Sequence, residues 1–135
     1  MADIYTARQR SQLMSRVRSR DTAPERAVRS VLHRMGFRFR LHRKDLLGKP
    51  DIVLTRYRKA IFVHGCFWHQ HPGCRRATVP ATRRSWWRAK LKKNQQRDAG
   101  VIGPLVGLGW EPIVVWECET KNVDRLRQKL TLLVE

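Results

Sequence analysis

The chain has 135 residues, of which 41% are hydrophobic, and these values suit one folded domain and exclude a disordered tail. Its 29 Lys and Arg outnumber its 11 Asp and Glu, so the net charge of +18 predicts a polyanionic partner such as nucleic acid, with a ribosome-associated or membrane-surface protein as the alternative. The apolar runs fall short of the roughly 20 residues that cross a bilayer, and the N-terminus lacks the apolar stretch of a secretory leader, so we expect a cytoplasmic protein.

Residues 1–21 are predicted to form a basic arm that orders on nucleic acid, with Met14 in a short helix. A solvated helix packed on the domain is the alternative. Residues 22–135 are predicted to form a single domain. This domain begins with a helix, because Thr22 is a suitable N-cap, Pro24 fits the first turn and Glu25 completes a capping box. The helix ends at Gly36 and turns one apolar face to the core: Val28, Val31, Leu32 and Met35.

Alternating apolar residues over 37–41 predict a half-buried strand, and the runs 51–55 and 60–64, joined by a charged connection, predict a hairpin. A helix is predicted over 85–98, and the Gly- and Pro-rich stretch 100–109 is predicted to be a broken or irregular helix. The last elements are a strand over 112–116 and a closing helix with the apolar stripe Val123, Leu126, Leu130 and Leu133. This order indicates an α/β domain in which helices flank a mixed sheet.

All three cysteines and one histidine have the spacing of a structural zinc site: Cys66, His71, Cys74 and Cys118. Three thiolates and an imidazole fill a tetrahedral ion and leave no position for water. Because the number of cysteines is odd and a leader is lacking, a disulfide framework is disfavoured. The alternative is that each cysteine is a small buried hydrophobic residue.

Asp51 follows Pro50 at the head of an apolar strand, where a carboxylate is a suitable ligand for Mg²⁺. His64 ends the neighbouring strand and His69 follows in the next loop, so both imidazoles are predicted to face Asp51. Phosphodiester hydrolysis needs a cation on the phosphate and a group that activates water. The alternatives are a turn aspartate and additional zinc ligands. His33 and His42 have no such context and are predicted to be solvated.

Aromatic residues interleave with these chemical groups. Phe67 and Trp68 separate Cys66 from His69 in a polar loop, and such a pair is suited to wedge between bases. Packing in the core is the alternative, and of Trp86 and Trp87 one must face inward if their segment is helical.

Six segments together form a specific pattern: DTAPE (21–25), GKPDIV (48–53), IFVHGCFWHQHPGC (61–74), VPATR (79–83), NQQRD (94–98) and GWEPIVVWEC (109–118). In these segments the chain closely resembles the very short patch repair endonucleases. The resemblance implies a restriction-endonuclease-like fold and hydrolysis of double-stranded DNA on the 5′ side of the thymine in a T·G mismatch that arises from 5-methylcytosine. It further implies a functional link to a cytosine-5 DNA methyltransferase and to a repair polymerase, and a bacterial cytoplasmic enzyme associated with the nucleoid. We expect a monomer, because a mismatch requires only one strand to be cut.

The resemblance also implies roles for individual residues. Asp51 and the backbone carbonyl of Val63 would bind catalytic Mg²⁺, since the usual acidic-x-Lys motif is replaced here by residues 62–64. His69 would be the general base and His64 would assist it. Waters on the metal would be oriented by Glu25 and Asp98. Structural Zn²⁺ would be held by Cys66, His71, Cys74 and Cys118. The residues that would intercalate are Phe67, Trp68, Trp87 and, from the arm, Met14.

Three rival functions have less support from the sequence. A zinc-stabilised DNA-binding protein without catalysis explains the charge and the cysteines but gives Asp51, His64 and His69 no role. A zinc hydrolase conflicts with a three-thiolate site, because such a site has no vacancy for water. An RNA-binding module explains only the charge.

Overall fold

The computed structural model describes residues 22–134 and contains three α-helices and four strands in this part of the chain. The helices are α1 (Ala23–Arg34), α2 (Arg84–Gly107) and α3 (Val123–Val134). The strands are β1 (Arg40–Leu41), β2 (Ile52–Leu54), β3 (Lys59–His64) and β4 (Glu111–Trp116). The predicted order of elements is confirmed. The basic arm, including Met14, lies outside the described residues.

The strands form one mixed sheet in the order β1-β2-β3-β4. β1 and β2 are antiparallel, as are β2 and β3, whereas β3 and β4 are parallel and are connected through α2. The predicted hairpin is present, because Leu54 pairs with Lys59 across a short 3-10 turn.

Helices cover both faces of this sheet. One face packs on α1 and α3, with a core of Val28, Val31, Leu32, Ile52, Leu54, Ile61, Ile113, Val115, Leu126, Leu130 and Val134. The other face packs on the end of α2 and includes Val53, Ala60, Phe62, Leu105 and Trp110. All three residues of β2 are buried because both of its faces are covered. Each fully buried aliphatic side chain contributes about 1.5–3 kcal/mol, so the sheet is a stable platform for its edges.

The start and end of α1 follow the local signals. The Thr22 hydroxyl accepts a hydrogen bond from the Glu25 backbone N–H at 3.4 Å. At the other end, Gly36 has a φ of +87°, which a glycine adopts without strain, and the Phe37 N–H donates to the Leu32 carbonyl at 3.0 Å.

Three expectations about the elements are wrong. The stretch 100–109 is not a broken helix, because α2 continues without a break to Gly107 although it contains Pro104. A glycine costs a helix about 1 kcal/mol and a proline about 3 kcal/mol. Burial of Leu105 against the sheet and packing of Val101 offset part of this cost.

The other two differences are smaller. The first strand contains only Arg40 and Leu41, because its partner strand β2 is itself only three residues long. Phe37 and Phe39 pack against the core before the strand begins. In α3, Val123 is 53% exposed, because it is the first residue of the helix and precedes the turn that reaches the sheet. None of the described helices is long and apolar enough to span a membrane.

Candidate active site and metal centre

The predicted functional residues lie together at one edge of the sheet, where the ends of neighbouring strands meet. β3 and β4 are parallel and end together, with His64 paired to Trp116. β2 runs in the opposite direction, so Asp51, which precedes it, lies at the same edge. The strand directions therefore bring together chemistry that is dispersed along the chain.

Asp51 lies inside this edge rather than on a turn at the surface. Its Oδ2 accepts a hydrogen bond from the Val63 N–H at 2.7 Å. Burial, together with the nearby negative charge of Glu25, raises the pKa of Asp51 from 3.8 to about 6, although the Val63 hydrogen bond and the histidines His42 and His69 act in the opposite direction. A buried carboxylate with a raised pKa gains from a nearby cation, so this position favours metal binding.

His69 and Asp98 form a hydrogen-bonded pair across the cleft. The Nδ1 atom of His69 lies 2.6 Å from Oδ2 of Asp98. When Nδ1 donates its proton to the carboxylate, Nε2 keeps its lone pair and is able to accept a proton from water. The pair thus has the arrangement of an oriented general base.

His64 stacks on His69, with ring centroids 3.8 Å apart and an interplanar angle of 5°. Burial and the proximity of His69 lower the pKa of His64 to about 4, although Asp98 opposes this shift. His64 is therefore neutral at neutral pH. Its flat contact limits the motion of the His69 ring.

The face of α2 that looks towards the sheet holds this loop in place. Trp87 and Leu91 are buried on that face, so Trp87 is the one of the two adjacent tryptophans that faces inward. Asn94, further along the face, donates from Nδ2 to the Trp68 carbonyl at 3.2 Å, and Asp98 follows one turn later. The loop that carries His69 is thus bound to the helix at two points.

Asp51, His64, His69 and Asp98 line a cleft of about 450 Å³. Gly48 closes one side of it, since a Cβ at Gly48 would lie 2.4 Å from the Val101 side chain and the φ of Gly48 is +78°. The cleft also contains Lys49 and Arg97, for which the sequence predicted no individual role. Two cations beside the histidines suit a substrate with a phosphate.

His42 was predicted to be solvated, and this prediction is wrong. Its Nε2 contacts Oε1 of Glu25, an α1 residue that is 2% exposed, and Arg29 donates to the same oxygen at 2.9 Å. Potential ligand atoms of Glu25, His42 and Asp51 all lie within 4.8 Å of one another. His33, by contrast, is exposed as predicted. The only signal for His42 in the sequence is its place after a predicted strand, because the pairing of β1 with β2 is what brings it to Asp51.

The four predicted zinc ligands converge on one point. The ligand atoms of Cys66, His71, Cys74 and Cys118 lie within 4.8 Å of one another. Nδ1 of His71 is 3.4 Å from Sγ of Cys118 and 3.8 Å from Sγ of Cys66. A tetrahedral ion with ordinary zinc–sulfur and zinc–nitrogen bonds places such atoms about 3.5 Å apart. The donor set therefore fits zinc in both chemistry and spacing.

The surroundings of these thiols differ. Burial raises the pKa of Cys66 to about 12, whereas a backbone hydrogen bond at Arg76 lowers the pKa of Cys74. Cys66 also accepts a hydrogen bond from the Cys118 N–H at 3.4 Å. A cation that binds here must displace the proton of Cys66, which thiolate coordination to zinc does.

Phe67, Trp68 and Trp87 form one aromatic cluster beside the cleft. The ring centroids of Phe67 and Trp68 are 5.2 Å apart, and Trp87 lies within 6 Å of both, at 5.6 and 5.9 Å. Trp87 is buried at 6% exposure, while Phe67 and Trp68 are partly exposed. Trp87 therefore lies beneath Phe67 and Trp68. Its insertion into DNA stays a prediction, and insertion would require this cluster to open. The adjacent Trp86 is 47% exposed.

Trp116 connects the Cys/His cluster to the histidine pair. It stacks on His71 with centroids 4.2 Å apart and contacts His64 edge-on at 5.3 Å. The rings of His69, His64, Trp116 and His71 thus form a continuous series, and the positions of the two sites are mechanically linked.

The chain is similar to known mismatch endonucleases and nicking enzymes. The family model described as DNA mismatch endonuclease Vsr matches residues 2–76, more than half of the chain. The chain is 46% identical to the type II nicking enzyme V.XorIIP of Xanthomonas oryzae over 100% of its length and 98% of the relative. It is 42% identical to the type II nicking enzyme V.NmeAIP of Neisseria meningitidis over 99% of its length and 95% of the relative. Identity to the DNA mismatch endonuclease Vsr of Escherichia coli is 44% over 93% of this chain and 80% of that protein. The chain therefore belongs to the Vsr family of DNA mismatch endonucleases.

Proposed function

We propose that this endonuclease uses Mg²⁺ to nick one strand of double-stranded DNA on the 5′ side of the thymine in a T·G mismatch. The observation that carries the chemistry is the convergence of Asp51, the His69–Asp98 pair and His64 on a single cleft. The choice of T·G follows from the sequence resemblance, and the net charge of +18 favours DNA as the polyanion.

Each protein group has a task in this reaction. Nε2 of His69 takes a proton from water as the water oxygen bonds to phosphorus and the bond from phosphorus to the leaving oxygen breaks. Asp98 orients the imidazole and stabilises its charged form. His64 restrains the ring by stacking, and Glu25 and Asp98 would orient waters bound to the cation.

Asp51 would hold the Mg²⁺ together with the backbone carbonyl of Val63. The Val63 N–H donates to Asp51. Because the N–H and C=O of one strand residue point to the same side of the strand, we expect the Val63 carbonyl to lie on the side of Asp51. Two hard oxygen ligands suit Mg²⁺, which keeps its remaining positions for water and phosphate. The bound cation would neutralise charge on the scissile phosphate and the leaving oxygen.

Zn²⁺ has a structural task in this proposal. With four protein ligands, Cys66, His71, Cys74 and Cys118, it would have no vacancy for substrate. It would tie the loop that carries His69 to the end of β4.

Recognition would depend on weakened stacking at the mismatch. Phe67 and Trp68 are partly exposed and braced from below by Trp87, which gives the pair the rigidity of a wedge. Separation of one base step costs a few kcal/mol, and a mismatch reduces this cost. Met14 and the arm 1–21 would contact the DNA from the other groove.

The remaining parts of the proposal concern the whole protein. Its domain, 22–135, would have the restriction-endonuclease-like fold, in agreement with the mixed sheet flanked by helices. The enzyme would act as a monomer in the bacterial cytoplasm, at the nucleoid, since a mismatch requires one cut. Its functional companions would be a cytosine-5 DNA methyltransferase, whose product deaminates to the mismatch, and a repair polymerase.

A panel of end-labelled duplexes tests the proposed function. Each duplex carries one base pair of interest, T·G, T·A, C·G or A·C, in the same flanking sequence, with Mg²⁺ or with EDTA. We expect a single nick 5′ to the thymine of T·G, only with Mg²⁺. Equal cutting of T·A and T·G duplexes, or cutting of both strands, would contradict the proposal.

Trp68→Ala tests the wedge. We expect the preference for T·G over T·A to fall by about ten- to a hundredfold, which corresponds to the few kcal/mol of one unstacked step, while salt-dependent binding to matched DNA is preserved. Tyr57→Ala is the control, since Tyr57 is an aromatic residue at 44% exposure in the β2–β3 connection. If Trp68→Ala weakens binding to every duplex equally, Trp68 is a packing residue and not a wedge.

A further inference from the structure

His42 joins two acidic residues that come from different elements. Its Nε2 contacts Glu25 on α1, and its ligand atom lies within 4.8 Å of those of both Glu25 and Asp51. The side chain of His42 is 19% exposed, and Glu25 is almost completely buried at 2%. An imidazole therefore stands beside the carboxylate to which we assign the catalytic cation.

The backbone fixes the position of His42. It directly follows β1, where Leu41 pairs with Ile52, and its N–H donates to the Asp51 carbonyl at 3.0 Å. Its φ of +49° is in the left-handed region, which a histidine occupies more readily than a β-branched residue does. The ring is thus held next to Asp51 by the sheet and not by a flexible loop.

The contact with Glu25 has the arrangement found around metal-binding histidines. Such a histidine usually donates the N–H of one ring nitrogen to a carboxylate and binds the metal through the other. When Nε2 donates its proton to Glu25, the lone pair of His42 is on Nδ1. Arg29 donates to the same Glu25 oxygen at 2.9 Å, so this oxygen is held against the imidazole.

We propose that His42 is a direct ligand of the divalent cation held by Asp51, and that it makes this centre bind Mn²⁺ more tightly than Mg²⁺. This inference rests on the proposed function, in which Asp51 holds the cation. Carboxylate and carbonyl oxygens suit Mg²⁺ and Mn²⁺, whereas imidazole nitrogen favours transition metals. His42 is thereby a residue that determines which metal the endonuclease uses.

Calorimetric titration of the zinc-loaded protein with Mn²⁺ and with Mg²⁺ measures this preference without reference to activity. We expect the wild type to bind Mn²⁺ at least about tenfold more tightly than Mg²⁺. His42→Gln should weaken Mn²⁺ binding by about ten- to a hundredfold and change Mg²⁺ binding by less than about threefold. His33→Gln, the same substitution at an exposed histidine of α1, should leave both affinities unchanged.

Pulsed electron paramagnetic resonance of bound Mn²⁺ identifies the ligand. We expect a coupling to imidazole nitrogen that His42→Gln removes and that His69→Gln retains. If His42→Gln lowers the thermal stability, His42→Ala with free imidazole replaces it, and imidazole should restore Mn²⁺ affinity. A nitrogen coupling that survives in His42→Gln, or a ratio of Mn²⁺ to Mg²⁺ affinity equal to that of the wild type, would overturn the inference.

Asp51→Asn separates this inference from the proposed function. If Asp51→Asn loses both cations while His42→Gln keeps the wild-type metal preference, only the assignment of His42 fails. If Asp51→Asn still binds Mn²⁺ with wild-type affinity, the catalytic metal site itself is misassigned and both proposals fail.

Discussion

Replacement of Asp51 by asparagine should abolish Mg²⁺-dependent nicking and leave the fold intact. Asparagine keeps the shape of the side chain and an oxygen that accepts from the Val63 N–H, but it lacks the charge that binds the cation. Stabilisation by the metal is worth several kcal/mol, so we expect a loss of at least about 10³-fold in the single-turnover nicking rate on a T·G duplex.

The same variant has a second readout in stability. The pKa of Asp51 in the folded protein is about 6, above the ordinary 3.8, so ionisation of the folded form is disfavoured. Without added Mg²⁺, the free energy of unfolding therefore decreases as the pH rises from about 4 through 6, and Asp51→Asn removes this decrease. We expect the melting temperature of the variant at neutral pH to equal or exceed that of the wild type.

Asp45→Asn is the matched control, because Asp45 is a carboxylate with a side chain 64% exposed, paired with Arg43. It should nick T·G duplexes at the wild-type rate. Near wild-type nicking by Asp51→Asn would remove Asp51 from the mechanism.

Replacement of Cys118 by serine should remove zinc, lower the melting temperature and abolish nicking together. Serine is close in size to cysteine but lacks the thiolate that zinc requires. The apparent binding energy of structural zinc is of the order of 10 kcal/mol, and this energy orders the residues around the site. Once the loop is released, His69 and Trp68 lose their positions. Added Mg²⁺ should not restore activity, since it prefers oxygen ligands.

Metal analysis of the purified protein, beside a melting curve and the nicking assay, measures this effect. We expect one zinc per wild-type chain and none in Cys118→Ser. Asp51→Asn should retain its zinc while it loses nicking, so the two variants separate the structural metal from the catalytic one. A zinc-free wild type with full activity and an unchanged melting temperature would reduce the three cysteines to packing residues.

The sequence by itself determined the features that depend on neighbours along the chain. The cap at Thr22, the end of α1 at Gly36 and the hairpin that leads to His64 follow from local hydrogen bonding and from the period of the apolar residues. The order of elements, the mixed sheet and membership of the endonuclease family were also predicted correctly. The spacing of Cys66, His71 and Cys74 was informative because one loop is able to bring all three to one point.

Tertiary structure alone decided which distant residues meet. Cys118 reaches Cys66 because β3 and β4 are parallel and in register, so the residues two positions beyond the pair His64–Trp116 become neighbours. His42 reaches Asp51 because β1 pairs with β2, and α2 remains helical to Gly107 because the sheet buries Leu105. Local propensity contains no information about register between strands or about burial against them. For that reason the sequence predicted which aspartates and histidines belong to the cleft, whereas the contacts between those residues were determined only by the folded sheet.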